Sequence, residues 1–94
     1  MERVKKKRPS PEELAELNVS SWPTWEKEVS EFDWVYDEDE TFYVLEGKVE
    51  VTLEDGSKVL IEPGDLVTFA KGVRCRWKVL EPIRKHYRLG QVTP

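Results

Sequence analysis

From residue 22 onward the chain alternates apolar and polar positions with a period of two, the signature of strands with one face turned inward. Phe32, Trp34 and Tyr36 fall on one face, and Asp33, Val35 and Asp37 on the other. The alternation returns at Val49, Val51 and Leu53, again at Val59 and Ile61, and in RCRWKVL with Cys75, Trp77 and Val79 set against Arg74, Arg76 and Lys78. Turn signals separate these runs: Gly47, Asp55-Gly56, Pro63-Gly64-Asp65, Lys71-Gly72 and Glu81-Pro82. Asp55-Gly56 is the strongest, because that pair tolerates the positive φ angles of a tight hairpin. The pattern predicts strands at 22–27, 31–37, 41–46, 48–54, 58–62, 66–70, 74–80 and 83–89. Many short strands without intervening helices imply an all-β sandwich or antiparallel barrel.

The exception lies at the start. Ser10-Pro11-Glu12-Glu13 combines a capping serine, a proline suited to the first helical turn and a glutamate at capping-box spacing. With Leu14 and Leu17 on one face, it predicts a short helix over 10–18 that flanks the barrel. Lys5-Lys6-Lys7-Arg8 before it reads as a solvated basic tail over 1–8.

A chain of 94 residues supports one core, so a single domain over 1–94 is expected, with the barrel over 22–89. Fifteen Lys and Arg against nineteen Asp and Glu give a formal charge of -4 with the signs interspersed. That distribution argues against nucleic-acid and membrane partners. Cys75 is the only cysteine, so no intrachain disulfide can form, and a cytoplasmic protein is expected.

The segments ETFYVLEGKVEV and DGSKVLIEPGDLVTFAKGVRCRW resemble the cupin superfamily of small jelly-roll barrels. More closely, they resemble its single-domain subgroup related to ethanolamine-utilisation and ureidoglycine-aminohydrolase cupins. The resemblance implies a single jelly-roll barrel with a short N-terminal helix. Glu40, Gly47, Gly64 and Gly72 keep the spacing of the two cupin signatures, whereas Trp34, Tyr36 and Cys75 stand where metal-binding cupins carry histidines. A divalent transition metal needs several imidazole, carboxylate or thiolate donors, so neither a metal nor another cofactor is expected here.

The resemblance also places Trp34, Tyr36, Glu40 and Phe42 inside the barrel, facing Cys75 and Trp77. These six residues are the candidate ligand-binding set. Glu40 reads as the single ionisable remnant of a metal site, and a carboxylate among rings is costly unless paired or used. Its candidate roles are general acid or base, with Tyr36 as hydrogen-bonding partner, or simply a structural hydrogen bond. Cys75 reads as a small core residue and His86 as a structural or edge residue. Trp22 and Trp25, in a short early strand, suggest a homodimer that buries them.

Three functions follow as expectations. The first is binding of a small polar metabolite in a metal-free pocket around Glu40 and Tyr36. The second is an enzyme of epimerase, isomerase or hydrolase type using Glu40 as acid or base. The third is a structural or interaction domain whose core is filled by its own tryptophans.

Overall fold

In the computed structural model, which describes residues 3–90, the alternating runs form strands β1 (Val4–Lys7), β2 (Thr24–Lys27), β3 (Ser30–Val35), β4 (Glu40–Leu53), β5 (Lys58–Ile61), β6 (Leu66–Phe69) and β7 (Arg74–Leu89). All described pairings are antiparallel. The hydrogen-bonded order is β1-β6-β4-β7-β2, with β3 joined to β7 and β5 to β4. The long β4 and β7 run side by side and belong to both halves of the barrel. Their outer ends, near Thr41 and Arg88, lie between β6 and β2; their other ends, near Val51 and Trp77, lie between β5 and β3. Core side chains from the two halves meet in between, as Phe42 and Trp77 do at 5.9 Å between ring centroids. This is the expected jelly-roll barrel.

Two predicted turns become one bend. Gly47 and Glu81-Pro82 each signal a strand end in the sequence, yet β4 and β7 continue through both. The register slips between Val44 and Val49, opposite the proline, which has no N–H to give the ladder. Gly47 sits at φ +97°, and a Cβ there would stand 2.2 Å from the Pro82 carbonyl oxygen and 2.6 Å from Ile83 Cα. Only glycine lets the two strands cross this closely while bending. The Asp55-Gly56 hairpin forms as predicted: Leu53 N–H donates to Ser57 O at 2.8 Å, and Asp55 Oδ1 accepts from Ser57 N at 2.9 Å.

The helix α1 (Pro11–Leu17) is capped by Ser10, whose hydroxyl oxygen accepts from Glu13 N–H at 3.2 Å, and it ends at Asn18 in the left-handed region. Leu14 and Leu17 pack on a small cluster of Val19, Trp22 and Leu66. Trp22 is therefore buried within the chain, and Trp25 is half-buried against the main core.

The basic segment is also not a tail. Val4–Lys7 pairs with β6, because Val4 reaches the core while the charges find partners: Lys6 Nζ donates to Leu60 O, Lys7 pairs with Glu13 at 2.6 Å and Arg8 with the buried Asp65 at 3.4 Å. Lysines on such an edge strand also discourage further strand addition. The remainder of the single-domain span, residues 1, 2 and 91–94, lies outside the described residues. Among the described residues no helix is long and apolar enough to cross a membrane.

Candidate functional site

Strands β2, β3, β4 and β7 and the segment after β3 line a cavity of about 220 Å³. Its walls are mainly aromatic: Trp25, Phe32, Trp34, Tyr36, Trp77 and Tyr87, with Glu40 and Lys85 as its charged groups. Phe32 stacks along Trp77 at 6.1 Å and Trp25 meets Trp77 edge-on at 6.1 Å. Trp34, 45% exposed, forms the rim, and Tyr36 behind it is buried and stacks on Phe69 at 4.6 Å.

Four of the six anticipated residues, Trp34, Tyr36, Glu40 and Trp77, line this cavity together. Phe42 is fully buried behind the wall. Cys75 is not among the residues that line the cavity; its Sγ lies 3.7 Å from the Trp34 carbonyl oxygen, in the core beside Tyr36 and Trp77. Burial pushes its thiol up to about 11, only partly opposed by the Trp77 indole N–H, so it is an inert core residue at neutral pH. His86 Nδ1 lies 2.8 Å from the Trp22 carbonyl oxygen and ties β7 to the helical segment, a structural role.

Glu40 is not the site's single ionisable group. Lys85 Nζ donates to Glu40 Oε2 at 2.9 Å, with side-chain exposures of 6% for the lysine and 14% for the glutamate. The ammonium is also caged by rings, 3.9 Å from the centroid of Phe42 and 4.9 Å from those of Trp25 and Trp77. Burial lowers the pKa of Lys85, and the charge and hydrogen bond of Glu40 oppose that shift. The cation–π contacts with three rings favour the charged form as well. At neutral pH the resting site is thus an ammonium–carboxylate pair in an aromatic enclosure.

Lys85 escaped the sequence reading because hydrophobic alternation ignores charged residues. The signal was positional: Lys85 and Tyr87 share the parity of Ile83, which is buried.

Two polar atoms of the cavity residues lack a protein partner. Tyr36 Oη and Trp77 Nε1 are both buried, and neither makes a hydrogen bond to the chain. Burial, followed by the nearby Glu40 and Cys75, drives the Tyr36 pKa well above 10, so the phenol stays a neutral O–H donor. The Trp77 indole N–H weakly opposes that shift without bonding to the hydroxyl.

This donor set does not fit a divalent cation. Its carboxylate is engaged by an ammonium, its phenol resists ionisation and burial keeps its thiol protonated. Among the described residues no group of three or more His, Cys, Asp or Glu side chains converges as a metal site would require.

The model of the EutQ-like cupin domain matches residues 14–87 of the chain. Among solved structures, a DUF861 family protein from Thermotoga maritima is 71% identical, aligned over 93% of this chain and 99% of that one with a TM-score of 0.91. The EutQ protein of Clostridium difficile is 30% identical over 68% of this chain and 50% of its own, with a TM-score of 0.62. A DUF861 family protein from Pseudomonas syringae pv. tomato is 31% identical over 68% of this chain and 28% of its own, with a TM-score of 0.63. The chain thus spans half or less of the latter two. No curated protein matches it.

Proposed function

The chain belongs to the EutQ-like cupin family, and from that premise we propose that it binds a small polar molecule inside its barrel without a metal. The observation that carries this reading is an aromatic cavity two of whose lining residues, Tyr36 and Trp77, hold buried donors, Oη and Nε1, without a partner in the chain. Buried polar groups are nearly always satisfied, and each exception calls for an explanation, a bound water, ion or ligand among them. Both atoms donate, so the complementary ligand carries an acceptor oxygen, a carbonyl or hydroxyl, together with apolar surface for the rings.

Net charge narrows the class further. Glu40 and Lys85 already neutralise each other, and an added charge would enter an apolar site with no free counter-charge. A neutral carbonyl or hydroxyl compound avoids that cost. The volume of about 220 Å³ limits it to about nine heavy atoms, since a cavity of about 150 Å³ holds benzene. The tryptophans line this space rather than fill it, which favours binding over a purely structural barrel.

The test is thermal unfolding with dihydroxyacetone, propanamide and propanal as probes at millimolar concentration. A ligand at a hundred times its Kd stabilises by about 2.7 kcal/mol, which raises Tm by several degrees. We expect at least one probe to do so, and the shift to disappear in Tyr36→Phe. If no probe moves Tm, or the shift survives in Tyr36→Phe, the reading is wrong.

A further inference from the structure

We propose that Lys85 is a covalent carbonyl-binding residue, its ε-amine condensing with a small aldehyde in the aromatic cavity while Glu40 carries the protons. The proposal rests on the binding reading above and assigns its ligand to the aldehydes.

Four observations meet at this residue. Lys85 is the buried lysine among the described residues, and it is one of the residues that line the cavity. Glu40 Oε2, 2.9 Å away, is within reach to take the ammonium proton, so the neutral amine forms without a base from solvent. Desolvation by the surrounding rings favours that neutral form, as it does for other imine-forming lysines. Tyr36 and Trp77 line the same cavity, and their buried donors, Tyr36 Oη and Trp77 Nε1, have no acceptor in the chain; a small shift of these rings would bring them to the carbonyl oxygen as negative charge develops on it. A structural ion pair alone would explain the first two observations but leave these donors idle.

The chemistry balances within the site. Lys85 passes one proton to Glu40, and its nitrogen lone pair forms a bond to the carbonyl carbon while the C=O π electrons move onto oxygen. That oxygen takes the proton held by Glu40, and the nitrogen returns one to the carboxylate, giving a neutral carbinolamine. Glu40 then protonates the hydroxyl, which leaves as water as the nitrogen lone pair closes the C=N bond. The sum is ammonium plus aldehyde to iminium plus water. The iminium inherits both the positive charge and the place of the ammonium, beside the Glu40 carboxylate and within the cage of Trp25, Phe42 and Trp77. Nothing else in the enclosure has to be neutralised.

The experiment is reductive trapping of the full chain with propanal and cyanoborohydride, followed by intact mass and peptide mapping. We expect one propyl group per chain, on Lys85, gained at least about tenfold faster than on any exposed lysine, and slowed about tenfold or more in Glu40→Gln because proton transfer is lost. Mapping the parent chain locates the adduct without relying on a variant's folding; Lys85→Met, if folded, should lose the fast phase. Labelling spread over exposed lysines, with Lys85 spared, overturns the proposal. If propanamide raises Tm while propanal leaves Lys85 unmodified, covalent capture is wrong and the binding reading stands. If no probe shifts Tm and none is trapped, both fall.

Discussion

Glu40→Gln isolates the charge of the buried pair while keeping its shape and an acceptor oxygen for Lys85. The substitution leaves an ammonium, 6% exposed, with rings as its remaining support. The protein can escape the unpaired charge by releasing the proton, and that sets a ceiling on the loss. Neutralising at pH 7 a lysine whose ordinary pKa is 10.5 costs about 4.8 kcal/mol, at 1.36 kcal/mol per unit. The three rings return part of this, so the expected loss is about 2–4 kcal/mol, consistent with other broken buried pairs. For a domain of this size that lowers Tm by roughly 10–25 °C.

The sign of the pH dependence makes the test specific. With Glu40 gone, the opposition to desolvation disappears and the folded pKa of Lys85 falls further below its unfolded value. Between those two values the unfolded chain binds more protons, so stability rises with pH. The deficit of Glu40→Gln against the parent should therefore shrink from pH 7 to pH 9.5. The other titratable groups facing the site, Tyr36 and Tyr87, are present in both proteins, and Tyr36 stays protonated through this window. Urea unfolding at both pH values measures the deficit. Adding Lys85→Met should recover more than half of the loss, since a thioether suits the ring cage better than an unpaired ammonium. A deficit below about 1 kcal/mol, or one that widens at pH 9.5, would refute the account of Lys85 as a buried cation held by Glu40.

Further outcomes follow from single residues. Tyr36→Phe should cost less than about 1 kcal/mol in unfolding free energy, since no hydrogen bond to the chain is lost; a loss of 2 kcal/mol or more would expose a partner for this hydroxyl. Native Cys75, with its thiol raised from 9.0 to about 11, has about a hundredfold less thiolate than an ordinary cysteine at pH 8. The greater nucleophilicity of a high-pKa thiolate returns roughly tenfold, so iodoacetamide should alkylate it at least about tenfold slower than free thiol. An equal rate would contradict its burial. Gly47→Ala should lower stability by about 3 kcal/mol or more, read by urea unfolding, because the new methyl group meets Pro82 backbone at a φ that disfavours any side chain.

The fold was legible because most of its instructions are local. Period-two alternation located the strands, the Ser10 cap the helix, and Asp55-Gly56 the hairpin. Local signals failed where a residue's meaning depends on what lies across the barrel. Gly47 and Pro82 each look like a strand end when read alone. Opposite one another they make a bend that continues both strands, and only the pairing of β4 with β7 shows it. The basic run before the helix failed for a related reason: Val4 is a single apolar residue, too little for a visible alternation, and the partners of Lys7 and Arg8 lie farther along the chain.

The site illustrates the same limit with a chemical consequence. Alternation of apolar residues, read with the family resemblance, brought Trp34, Tyr36, Glu40 and Trp77 to one cavity. It could not bring Lys85, since a charged residue inside a barrel is the exception that the alternation rule is built to ignore. Yet Lys85 changes the chemistry of each neighbour. It turns Glu40 from an isolated carboxylate into one half of a hydrogen-bonded ion pair, and it occupies the cation-binding face of the aromatic wall. That occupation argues against an external cation as ligand: it would have to displace an ammonium already paired at 2.9 Å. What lies beside the cavity instead is two buried donors without acceptors and, under the proposed proton transfer to Glu40, a neutral amine. Carbonyl compounds answer both needs with one functional group.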